Sequence, residues 1–262
     1  MADYQTIEIG PVSLNVQVRG EGPSIVFIHG FTTTSGFWRN QVDLLAKHYQ
    51  VVSFDLRGHG DSSKPEGVSY TIETFSDDLV KLLGKLGIEE AVLVGLSMGG
   101  SIVMRTALDH PDVVRALVLV DTSANGVGEA IEASRVLNQI DAVGAEAAAA
   151  EVIEHSFAAT ADREVVEWAK NEVRKAPVHV AKEAIVSLGK FNAREDLGKI
   201  DCPTLIIVGE EDEITPVELS ERLNKGIAGS RLVIISGSNH FPMLEQPAAF
   251  DEALSEFLSS LE

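Results

Sequence analysis

The residues best suited to chemistry in this 262-residue chain are a serine, a histidine and a small set of carboxylates, each standing just past an apolar run. VLVGLSMGGS (92–101) sets Ser97 between Gly95 and Gly99, with Gly100 next. A G-x-S-x-G between a strand and a helix forces the serine into a strained turn. Residues two before and two after are then squeezed together, and glycine removes the clash. The turn holds the hydroxyl out at the sheet edge, beside a helix N-terminus whose dipole favours developing negative charge. The competing reading of Ser97 is an ordinary helix N-cap.

A serine hydroxyl is a weak nucleophile and needs a base that is itself oriented by a carboxylate. The order serine, acid, histidine is expected after such a turn. GEEDEITP (209–216) and GSNHFPMLEQP (237–247) each follow an apolar run and supply Asp212 and His240. Glu210, Glu211, Glu213 and Asp121, which ends ALVLVD (116–121), are rival carboxylates. The remaining need is a pair of backbone N–H groups for an oxyanion. Phe31, in the loop after SIVFIHG, and Met98, the residue after the serine, are positioned to give them.

Other candidates carry less chemistry. His29 and His59 lie in turns and suit structural hydrogen bonds, and His48, His110 and His179 read as surface residues. His155 is a weaker candidate for lining a pocket. Asp55 and Arg57 fit local bracing of their loop, and Trp38 fits packing; Trp168 is open either way. The lone Cys202 precedes a proline and an apolar run, as a buried thiol would, and forms no internal disulfide. No Cys/His or His/carboxylate spacing matches a metal site, and no phosphate or dinucleotide motif occurs, so neither metal nor cofactor is expected.

Short apolar strands must carry these residues. TIEIG and VSLNVQVRG read as a hairpin; SIVFI, VVSFD, AVLVG, ALVLVD, CPTLIIVGE and RLVIISG read as buried strands alternating with helices. Thr71 to Leu86 is an amphipathic helix with Ile72, Phe75, Leu79, Leu82, Leu83 and Leu86 on one stripe. Residues 37–47 and the stretches from Pro216 and Pro247 also have helical spacing. From 123 to 189 no strand-like run occurs and alanine-rich helices dominate. That stretch is expected as a helical insertion between two strands, folding over their carboxyl ends, within a core of 1–122 and 190–262.

The net charge of −19 argues against nucleic acid and anionic membranes as partners. No apolar stretch is long enough to span a bilayer, and MADYQTIEIG lacks a secretory pattern. A cytoplasmic monomer or homodimer is expected.

HGF (29–31), DLRGHGDSS (55–63), GLSMGG (95–100), GEEDEITP and GSNHFPMLEQP together resemble the α/β-hydrolase family. GLSMGG is similar to small bacterial carboxylesterases and 3-oxoadipate enol-lactonases. The resemblance implies an eight-stranded, mostly parallel sheet flanked by helices, with a helical cap, and hydrolysis without a cofactor. It favours Asp212 as the acid, from its offset to Gly209 and Pro216. It implies a serine hydrolase of small esters or lactones acting through an acyl-enzyme. The alternatives are an enol-lactone or carbon–carbon bond hydrolase, a perhydrolase or haloperoxidase, and a ligand-binding signalling protein of the same fold. A carboxylate-bearing substrate would require a cation near Ser97, with Arg135, Arg163, Arg174 and Lys190 as suppliers. Epoxide hydrolases and dehalogenases use a carboxylate where this chain has Ser97.

Overall fold

The short apolar runs pair as strands of one sheet, because an apolar strand can enter a core only with its backbone groups satisfied. The computed structural model describes residues 4–126 and 133–261; residues 127–132, inside the expected insertion, lie outside that description. The strands are β1 (Tyr4–Glu8), β2 (Ser13–Arg19), β3 (Ser24–Ile28), β4 (Gln50–Phe54), β5 (Ala91–Leu96), β6 (Val114–Val120), β7 (Thr204–Gly209) and β8 (Arg231–Ile235). Their order is β1-β2-β4-β3-β5-β6-β7-β8. The β1–β2 and β2–β4 pairs are antiparallel and the rest are parallel. This is the expected eight-stranded, mostly parallel sheet.

The helices are α1 (Arg39–Leu45), α2 (Ile72–Leu86), α3 (Met98–Asp109), α4 (Ala133–Val143), α5 (Ala145–His155), α6 (Arg163–Val173), α7 (Val178–Lys190), α8 (Val217–Gly226), α9 (Pro242–Glu245) and α10 (Pro247–Ser259). Side chains alternate across a strand, and the core divides accordingly. Val26, Ile28 and Leu93 pack with α2, α3 and α8, while Ile25, Phe27, Val92 and Val94 pack with α1 and α10. Burial on both faces explains why the central strands read as unbroken apolar runs. Helix α2 has the expected boundaries: Thr71 accepts the Thr74 N–H as N-cap, and Gly87 ends the helix at φ +69°.

Three expectations change in detail. The segment 37–47 divides into a 3₁₀ turn, Ser35–Trp38, and the shorter α1. Arg57 does not brace its own loop alone: it pairs with Asp78 of α2, both buried, with Nη2–Oδ1 at 2.6 Å. Asp55 spans several segments, accepting from Asn15, the Ser35 N–H and hydroxyl, and the Asp61 N–H.

Helices α4 to α7 lie between β6 and β7 in the chain, and specific bonds tie them to the sheet's loops. The His240 N–H donates to the Ser156 carbonyl at 3.0 Å, and Asn239 Nδ2 to that of His155 at 3.1 Å. Glu245 joins both sides. Its Oε1 accepts the Ser238 hydroxyl and the N–H groups of Asn239 and Phe241, and its Oε2 accepts the Ala158 N–H at 2.7 Å. Burial raises the Glu245 carboxyl above its ordinary range despite these donors. Replacing Glu245 by alanine leaves three backbone N–H groups without their acceptor, at about 1 kcal/mol or more each. Glu245→Ala should therefore lower Tm by about 6–12 °C in a calorimetric scan; an unchanged Tm would mean that water replaces the carboxylate at no cost.

Candidate active site

Ser97 follows β5 at φ +53°, ψ −116°, and its side chain makes no capping bond to α3. The N-cap reading therefore fails. The reason for the flanking glycines is steric. A Cβ on Gly95 would stand 2.4 Å from the Gly99 carbonyl oxygen, and one on Gly99 would stand 2.4 Å from that of Ile28. On Gly100 a Cβ would strike Thr122, whose hydroxyl donates to the Ser97 carbonyl at 2.7 Å. The Ser97 N–H in turn donates to Val120 at 2.9 Å. The turn is thus clamped to both neighbouring strands, β3 and β6.

His240 follows β8 and is 4% exposed. Its Nδ1 lies 2.9 Å from Asp212 Oδ2. Asp212, after β7, also accepts the Ile214 and Thr215 N–H groups at Oδ1 and the Thr215 hydroxyl at Oδ2, the last at 2.6 Å. Burial would raise this carboxyl. The charge and hydrogen bond of His240, with the Thr215 hydroxyl and Asp121, outweigh burial and hold it well below the ordinary carboxylate range. An ionised carboxylate only accepts, so it fixes the Nδ1–H tautomer and leaves Nε2 as the basic nitrogen of the neutral ring. The rival carboxylates Glu210, Glu211 and Glu213 are exposed while Asp212 is buried. Gly209 makes the juxtaposition feasible: a Cβ there would lie 1.9 Å from the Asn239 carbonyl oxygen, so the histidine loop rests directly on β7.

Asp121, the rival from β6, is also here. It is fully buried, and one of its side-chain oxygens, one of Asp212 and one His240 ring nitrogen lie within 4.8 Å of one another. Burial, with the neighbouring Asp212 charge, pushes its carboxyl well above the ordinary value. No ligand spacing along the chain marks such a group, which only the fold assembles. Asp212 already accepts four hydrogen bonds within this cluster.

A cavity enclosing about 710 Å³, its mouth included, opens above the strand ends and is lined by both Ser97 and His240. Phe31 and Thr32 line one side. Val136 of α4, Val152 and Ile153 of α5, and Ile185 and Leu188 of α7 roof it. Met98 is buried in the core, and as the first residue of α3 its N–H has no acceptor one turn earlier in that helix. His155 is exposed, its Nδ1 turned to the Glu151 carbonyl, and is not among the lining residues. His179 is half-buried against Tyr70 rather than a plain surface residue. Trp168 packs at a tilt of 47° against Phe37, with the Arg39 guanidinium over its ring, which settles it as packing. His29 bonds the Leu56 N–H and Gly30, as its turn position suggested. Thr215 and Glu245 were missed: a D-x-x-T spacing was the available sign of the first, and nothing local marked the second.

The family model described as alpha/beta hydrolase fold matches residues 23–247. The chain is 28% identical to 3-oxoadipate enol-lactonase 1 of Acinetobacter baylyi, over 95% of this chain and 94% of that protein. A thermophilic esterase from Thermogutta terrifontis is 30% identical, with TM-score 0.90 over 99% of both chains. Est816, described as an N-acyl homoserine lactone degrading enzyme, is 31% identical with TM-score 0.87, over 97% of this chain and 100% of that one. With its sheet order, its strained serine turn and these matches, the chain belongs to the α/β-hydrolase fold family.

Proposed function

We propose that this protein is a serine hydrolase that cleaves small, uncharged carboxylic esters or lactones through an acyl-enzyme. Ser97 Oγ attacks the carbonyl carbon as His240 Nε2 takes its proton, and Asp212 holds the imidazole and stabilises the imidazolium. The N–H groups of Phe31 and Met98 receive the oxyanion. His240 then protonates the leaving alkoxide as the acyl–oxygen bond breaks. Water, deprotonated by His240, attacks the acyl-enzyme and restores Ser97. Residues 123–189 serve as a cap on a core of 1–122 and 190–262. The chemistry needs no cofactor, and the composition suits a cytoplasmic monomer or homodimer. One observation carries the reading: a serine held at φ +53° lines the same cavity as a histidine whose other nitrogen is bound to a buried carboxylate.

The uncharged substrate follows from the cavity wall. Its lining includes no lysine or arginine among the described residues. Arg163 pairs with Glu154 and Glu167, and Arg174 with Glu146, all from the outer faces of the helices. Arg135 and Lys190 are exposed. The stretch 127–132 reads VGEAIE and has no basic residue to add. A carboxylate entering this wall would lose its hydration without a partner, which is costly. The enol-lactonase alternative is disfavoured on that ground, despite the kinship. The lactone handled by Est816 supports lactones as a substrate class.

A fluorophosphonate should add to Ser97, located by peptide mass spectrometry, and Ser97→Ala should lose at least about 10³-fold in turnover of p-nitrophenyl butyrate. Wild-type turnover in that variant would reject the nucleophile. Sustained turnover also separates an enzyme from a ligand-capturing signalling protein, which would stop near one event per molecule. In a paired panel, p-nitrophenyl butyrate should exceed the matching hemisuccinate ester in kcat/KM by about 10²-fold or more. Equal values would reject the uncharged-substrate reading.

A further inference from the structure

We propose that Asp121 is a positioning residue, held as a neutral carboxylic acid that donates its proton to Asp212. The inference rests on the reading of Ser97, His240 and Asp212 given above. Asp121 closes β6 in a left-handed backbone conformation, φ +42°, and is 0% exposed. Its N–H donates to Ile207 at 2.9 Å. Its Oδ1 accepts the Gly209 N–H at 2.8 Å, while no donor reaches the buried Oδ2. Asp212 lies beside it in the same cluster.

Two carboxyls this close, out of water, do not both ionise. The donors decide which one does. Asp212 accepts two backbone N–H groups, the Thr215 hydroxyl and His240 Nδ1. Asp121 accepts one backbone N–H. The charge therefore rests on Asp212 and the proton on Asp121. Oδ2 is the atom with no incoming donor, so it is the atom that carries hydrogen. The titratable groups acting on Asp121 fit this assignment: Asp212 after β7 and Glu245 of α9 bring negative charge, and His240 completes the cluster. The donated bond steadies the carboxylate that orients His240 and, because it comes from a neutral group, adds no second charge beside it.

The linkage has a definite sign. A carboxyl raised in the folded state takes up a proton on folding, so it lowers stability progressively as pH climbs above the unfolded value. Asp121→Asn keeps the shape and a donor but needs no proton. Its Tm should gain on wild type as pH rises from about 5 to about 8; a gap that does not change with pH would mean an ionised Asp121 and overturn the proposal. Infrared spectra of the wild type at neutral pH should show a protonated carboxyl carbonyl band, shifted in D₂O and missing from Asp121→Asn. Its absence from the wild type would overturn the proposal as well.

If Asp121→Asn does not fold, ¹³C-labelled aspartate in the wild type should show one carboxyl carbon staying protonated across the same pH range, and full ionisation of all of them would overturn it. For the ester above, Asp121→Asn should keep kcat within about threefold. Asp121→Ala should lose about tenfold in kcat, the worth of one charge-assisted hydrogen bond, with KM little changed. Equal kcat in the two variants would remove the positioning role. The infrared band reports on Asp121 whether or not Ser97 is the nucleophile, so failure of either reading is visible separately.

Discussion

The site depends on one uncomfortable backbone conformation, that of Ser97, and on neighbours that leave it no alternative. A non-glycine residue at positive φ costs about 1–3 kcal/mol and persists only where the surroundings over-determine it. Here Val120 holds the serine N–H, Thr122 holds its carbonyl, and three glycines allow β3, β5 and α3 to close around it. Among the described residues the other non-glycine positions at positive φ are Thr32 and Asp121. These two follow β3 and β6, the strands on either side of β5. Backbone strain is therefore gathered at the carboxyl ends of three adjacent strands, where parallel sheets place their ligands. A single relaxed turn would move a side chain by ångströms.

Around that turn the polar groups form a graded series of carboxyls. Asp55 is held below its ordinary range by His29 and a shell of donors despite its burial, and Asp212 is held low by His240 and Thr215. Glu245 and Asp121 are pushed up by burial. A histidine charge is among the causes that lower Asp55 and Asp212, whereas at Glu245 four donors do not offset burial. This is how one small region keeps four acidic side chains without mutual repulsion destabilising it.

Much of this was legible in the sequence because it is written in local chemistry. The apolar runs gave the strands, and G-x-S-x-G gave the turn, since both depend on residues within a few positions of each other. The α2 stripe likewise gave the helix from Thr71 to Leu86. What stayed hidden depends on distance in the chain. Arg57 pairs with Asp78 across 21 positions, and local reading kept it within its own loop. Glu245 binds Ala158 across 87 positions, and Asp121 meets Asp212 only once β6 and β7 lie side by side. The cationic suppliers proposed for a charged substrate failed for the same reason. Helical spacing shows that Arg163 and Arg174 share a polar surface with glutamates, but not that neither side chain lines the cavity beside Ser97.

The division of labour between the two layers follows from these contacts. The strand ends carry Ser97, Asp212 and His240, and their geometry is fixed by backbone bonds and glycine clearances that tolerate little change. The roof is made of Val136, Val152, Ile153, Ile185 and Leu188, apolar side chains on helices. Such side chains can be exchanged for others of similar volume at modest cost. Under the proposed function, substrate range would therefore drift through the helices while the strand ends stay as they are. Yet the layers are not independent. The His240 N–H and the Glu245 carboxylate both bond to the segment 156–158, so a shift of α5 that reshapes the roof also pulls on the loop that aims the imidazole. Under the proposed function, changes that keep the carbonyl of Ser156 and the N–H of Ala158 in place would alter selectivity alone, and changes that displace them would also alter rate.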